Sequence, residues 1–128
     1  MGPMDLALSA EEEAQLARGV DQFNTGYFFE CHDTLEDLWS GISGTARDFL
    51  QGLIQVAVAF YHLGNGNRTG AQSLLARALR RFEAYPDVYG GFDLAAHRTE
   101  IASWRDRVAE AELGELTLAD LPKWRFDA

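Results

Sequence analysis

Apolar positions along this chain recur with a helical period. Ser9 followed three residues later by Glu12 forms a capping box, so a first helix is expected through Leu16, Val20 and Phe23, stopped by Asn24-Thr25-Gly26. From Tyr27 to Ser40 the positions Phe28, Cys31, Leu35, Leu38 and Trp39 step by three and four, and Gly41 to Gly44 reads as a tight turn. Thr45 is the expected cap of a third helix running through Phe49, Leu53, Val56, Ala57 and Phe60 to the Gly64-Asn65-Gly66 break. Ile54 and Val58 fill its other sides, which predicts the central, most buried helix, and Gly52, Ala57 and Ala59 leave room for a neighbouring backbone.

Asn67 or Thr69 starts a fourth helix carrying Leu74, Leu75, Ala78, Leu79 and Phe82, which the Tyr85-Pro86 step ends because a residue before proline avoids helical geometry. After a loop with Gly90-Gly91, Asp93 caps a fifth helix through Leu94, Ile101, Trp104 and Val108 to near Gly114. Leu116 to Ala128, with Pro122, Trp124 and Phe126, has no clear period and is expected to lie extended across the body. No strand-like alternation is evident. Gly66 to Ala78 has the small-residue pattern of helix-turn-helix repeats, but no second copy recurs at a fixed period. Short turns favour antiparallel neighbours, so the expected fold is all-α: a single-domain up-and-down helical bundle of about five helices with an extended C-terminal tail. The domain spans 1–128, with a motif-bearing core over roughly 9–85 and the fifth helix and tail over roughly 93–128.

Composition narrows the function classes. The 128 residues are 47% hydrophobic and 24% charged, the balance of a folded globular chain. Twenty acidic against eleven basic residues give a formal net charge of −9, which repels phosphate backbones and anionic headgroups; neither nucleic acid nor a membrane is expected as partner. Arg77, Arg80 and Arg81 read as complements to a helix dipole and as a solvated face. Cys31 is the only cysteine, which excludes an internal disulfide and fits a reducing compartment; its expected role is a small buried apolar one. Met1 to Leu8 lacks the features of a secretory signal, and the longest apolar stretch, Leu53 to Leu63, is interrupted by Gln55 and His62 and falls short of the roughly 20 residues of a membrane span. A cytoplasmic location is expected. The glycines show no phosphate-loop spacing.

One polar constellation exceeds what a helical core needs. His32 and Glu36 are four residues apart on the second helix, which puts an imidazole and a carboxylate on one face. Gln51 and Gln55 share that spacing on the third. If the two helices pack antiparallel about a turn near Ser43, His32 falls near Ile54 and Gln55, and Glu36 near Leu50 and Gln51, so that four polar side chains converge. His62 would lie roughly 12 Å further along the axis, where helix tilt decides its membership. Asp48 falls opposite Leu38 and Trp39, placed to accept from the indole nitrogen. Trp39 and Trp104 are expected in the core, while Tyr27, Phe28 and Phe29 have the alternative of lining a pocket mouth.

Four motifs carry a resemblance: Phe23-Asn24-x-Gly26, His32-x-x-x-Glu36-x-x-Trp39, Asp48-Phe49-x-Gln51-Gly52-x-x-Gln55-x-Ala57 and His62-x-x-x-Gly66-Asn67-x-x-Gly70-Ala71. In this order, from about Phe23 to Leu79, they resemble the prokaryotic family called domain of unknown function 309. The resemblance implies an all-helical fold and a suggested metal-binding role for His32, Glu36 and Trp39. It assigns no activity.

Two readings stay open. In the first, the cluster binds a divalent metal ion or a small polar ligand, with His32 and Glu36 as ligands or as proton carrier and general base, helped by Trp39, Asp48, Gln51, Gln55 and, as candidate third ligand, His62. In the second, the polar groups form a satisfied network that fixes helix register, and the chain is a non-catalytic helical interaction module or a homodimer.

Overall fold

A computed structural model describes residues 6–110 and 120–126. Five helices run in chain order: α1 (Ala10–Asn24), α2 (Phe28–Trp39), α3 (Thr45–Gly64), α4 (Arg68–Phe82) and α5 (Leu94–Ala109). The fold is mostly all-α, as expected. No helix among the described residues is long and apolar enough to cross a membrane.

Local chemistry sets most helix starts. The Ser9 Oγ accepts from the Glu12 amide at 3.1 Å, while Glu12 Oε1 accepts from the Ser9 amide at 2.9 Å, completing the capping box. Asn67 and Asp93 cap α4 and α5 by accepting from Gly70 and Ala96. Thr45 departs from its expected role: Gly44, at φ +74°, precedes the helix, and Thr45 is its first residue. The Thr45 hydroxyl instead bonds the Tyr89 hydroxyl at 3.0 Å.

Each helix packs on the next, and α3 is the hub between α2 and α4. Phe49, Leu50, Leu53, Val56, Ala57 and Ala59 of α3 are sealed from solvent. Gly52 lets α4 approach, since a Cβ there would meet the Phe82 ring at 2.5 Å. Phe60 packs on Phe23, Phe28 and Trp104, so one aromatic ring joins α1, α2, α3 and α5.

The Gly90-Gly91 loop is a hairpin, which the sequence pattern did not reveal. Strands β1 (Val88–Tyr89) and β2 (Phe92–Asp93) pair antiparallel across the two glycines, whose φ values of +57° and +81° suit a two-residue reverse turn. Two-residue strands are too short to display alternation. Phe126 bridges to Phe92, so the tail adds to this edge. The fifth helix ends at Ala109; its expected end near Gly114 and the start of the tail at Leu116 fall outside the described residues.

The tail is fastened where it is described. Asn24 Nδ2 donates to the Trp124 carbonyl at 2.8 Å, and the Trp124 amide donates back to Asn24 Oδ1 at 2.7 Å. The Trp124 indole stacks on Phe23 with centroids 3.8 Å apart and donates from Nε1 to His97 Nε2 at 3.3 Å. The aromatic residues of the tail are thus spent within the chain's own core.

Candidate metal centre on helix α2

Burial of Phe28, Cys31, Leu35 and Leu38 against neighbouring helices turns His32, Asp33 and Glu36 toward one open flank of α2. His32 Nε2 lies 3.2 Å from Glu36 Oε2, and His32 Nδ1 lies 3.6 Å from Asp33 Oδ1. The imidazole is 24% exposed, the two carboxylates 54% and 64%. One ligand atom from each residue falls within 4.8 Å of the other two. Tetrahedral ligands about 2.1 Å from an ion sit about 3.4 Å apart, so closing this set on one ion through a single imidazole nitrogen asks the side chains to swing by about an ångström. Exposed carboxylates make such shifts readily.

Asp33 escaped the sequence reading because adjacent helical residues differ by about 100° in direction, which places position 33 off the 32/36 face. The imidazole has nitrogens on two edges, and the second reaches the side that helix counting discards. Phe29 walls the site, with its ring 5.8 Å from His32 and 5.4 Å from Tyr61. Tyr27 and Phe29 are exposed, whereas Phe28 packs inward on Phe23 and Phe60.

The expected convergence of four polar side chains does not occur. Gln55 is buried, and its Oε1 accepts from Arg81 Nε at 3.2 Å. Asp48 does not serve the Trp39 indole but pairs with Arg81. Gln51 is half-buried and, among the described residues, makes no hydrogen bond to His32 or Glu36. His62 is half-buried beside Tyr61 and does not belong to the converging ligand group among the described residues. Counting residues from a helical turn sets their heights along the axis, but the direction each side chain takes is set by packing. Asp48 and Gln55, seven residues apart, share one face of α3, and that face looks onto α4.

Arg47 takes the position expected for Asp48. Its guanidinium lies 3.8 Å over the Trp39 ring and donates to the Trp39 and Ile42 carbonyls. The Trp39 indole nitrogen is buried and, among the described residues, has no hydrogen-bond partner. Trp104, by contrast, is fully in the core. Cys31 is buried, and burial pushes its thiol up to about 12, so it stays protonated and unreactive.

The profile of domain of unknown function 309 matches residues 16–74, which hold α2, α3 and every motif named above. The chain is 40% identical over 66 residues to the uncharacterized protein YpuF of Bacillus subtilis (strain 168), a region covering 51% of this chain and 38% of that protein. It is 25% identical over 122 residues to an uncharacterized protein of Aquifex aeolicus (strain VF5), covering 94% of this chain and 34% of that protein. The chain therefore spans little more than a third of the length of either relative. Over residues 16–74, from the end of α1's first turns to the middle of α4, it matches the model of the domain of unknown function 309 family.

Proposed function

We propose that this protein binds a divalent metal ion through His32, Asp33 and Glu36. The observation that carries the reading is the approach of an imidazole nitrogen and two carboxylate oxygens to within 4.8 Å of one another on an open helix flank. A donor set of one nitrogen and two oxygens suits Mn²⁺, Fe²⁺ or Zn²⁺ better than ions that favour thiolate. Three protein ligands also leave a position for water or substrate. A bound ion would supply Lewis-acid polarisation of an oxygen held there.

Magnitudes weigh against a purely architectural role. Glu36 is more than half exposed, and an exposed charge pair at this helical spacing stabilises by about 0.2–0.5 kcal/mol. The fold does not need the pair. Glu36→Gln should accordingly leave the melting temperature unchanged within a degree or so, whereas a network essential for register would lose several degrees.

The decisive measurement is metal analysis and titration calorimetry with Mn²⁺ and Zn²⁺ on protein purified without an affinity tag. The wild type should bind stoichiometrically, and the His32→Ala/Glu36→Ala double variant should lose the ion while its circular dichroism is retained. Asp33→Asn should weaken binding without abolishing it. Equal metal content in wild type and double variant would refute the proposal.

A second reading, self-association, has its own observation in the exposed rings of Tyr27, Phe29 and Tyr61. Light scattering of a Phe29→Ser/Tyr61→Ser variant checks it: a dimer in the wild type that becomes monomeric supports it, and a monomeric wild type removes it.

A further inference from the structure

The face of α3 that turned away from His32 opens a second site. Asp48 and Gln55 from α3, with Arg77, Arg80, Arg81 and Ala84 from α4 and its C-terminal extension, line a cleft of about 520 Å³, a size typical of small-ligand sites. It shares no residue with the α2 centre. We infer that this cleft binds a small, multiply charged phosphate compound, such as a phosphate ester or a pyrophosphate.

Charge placement supports the assignment. The chain carries a net charge of −9, yet three of its eleven basic residues converge here. Arginines three and four apart on one helix repel one another. A dipole role accounts for Arg80 and Arg81 in the last turn of α4, but Arg77 lies a turn earlier. Arg47, Arg68 and Arg98 are each tied to backbone carbonyls, whereas Arg77 and Arg80 make no hydrogen bond or ion pair among the described residues. They offer unspent donors over the cleft.

The wall of the cleft is built to receive an acceptor. Gln55 is only 8% exposed, and its Oε1 orients the Arg81 guanidinium through Nε while Asp48 holds Nη1. The Gln55 amide nitrogen has no hydrogen-bond partner among the described residues and is not sealed from solvent, so it adds a neutral donor beside three cations. Phosphate oxygens match such a set, since guanidinium groups bind them through paired N–H donors. Among the described residues no aromatic ring lines the cleft, which removes the stacking surface that single-stranded nucleic acid uses. Asp48 is the one carboxylate among the described lining residues, and it competes with the ligand for Arg81.

That competition makes the test two-sided. Isothermal titration with inorganic pyrophosphate, at fixed ionic strength and in EDTA so that divalent ions and the α2 centre play no part, should show saturable binding to the wild type. The Arg77→Ala/Arg80→Ala variant should bind at least tenfold more weakly, and Asp48→Asn severalfold more tightly. Both arginines are exposed and, among the described residues, unpaired, so the double variant should melt at or above the wild-type temperature without ligand. Equal affinity in wild type and double variant, or no binding to the wild type, overturns the assignment. Binding of a single-stranded oligonucleotide without binding of pyrophosphate overturns it in favour of nucleic acid. The outcome is independent of whether His32, Asp33 and Glu36 hold a metal.

Discussion

His97 illustrates how one buried side chain couples stability to pH. It is 2% exposed, and burial lowers its pKa below the usual 6.5, partly offset by Glu100, whose carboxylate lies 3.8 Å from Nδ1. Because Nε2 accepts from Trp124, the ring's proton resides on Nδ1, and a second proton would have to displace that hydrogen bond. The folded state binds this proton less readily than the unfolded chain. Its contribution to stability is therefore complete above pH about 6.5 and drains away as pH falls through the depressed folded value. The melting temperature should drop between pH 7.5 and 5, and His97→Gln, which retains an acceptor, should show a shallower slope. Cys31 gives a second check at this scale: with a pKa pushed up to about 12 and no exposure, it should resist a thiol reagent in the native state and react upon denaturation.

At the scale of helices, close approach is the governing variable. Gly52 sits where any side chain would collide with Phe82, itself fully buried, so Gly52→Ala should destabilise by about 1–3 kcal/mol, read as a lower urea midpoint at unchanged slope. Gly19 faces Leu35 across α1 and α2 in the same way, at 2.7 Å. Helix boundaries were legible in the sequence because caps are local: Ser9, Asn67 and Asp93 each bond an amide three residues on. The His32–Glu36 pair was legible for the same reason, since one helix supplies both groups. Asp48 and Gln55 were misdirected because the rotation of α3 about its axis depends on which apolar stripe seats against α2 and which against α4. That is a property of two partners. Thr45 deceived for a smaller reason, as its hydroxyl found Tyr89, far along the chain.

For the molecule as a whole, the hub position of α3 between α2 and α4 keeps two polar groups in different neighbourhoods. His32, Asp33 and Glu36 gather outside α2, and arginines gather over α4. The sequence carried the arginines in plain view, but their meaning depends on the Gln55 face turning toward them. Removing either Asn24 hydrogen bond should matter more than its half-buried setting suggests, because both hold the tail: Asn24→Ala should cost about 1–3 kcal/mol and lower the melting temperature by several degrees. This two-bond clasp joins positions 100 residues apart in the chain. A nascent polypeptide leaving the ribosome can assemble α2, α3 and α4 early, yet the platform of Phe23 lacks its lid until Trp124 emerges. A product truncated before Trp124 should therefore expose that aromatic floor, read as added binding of a hydrophobic dye.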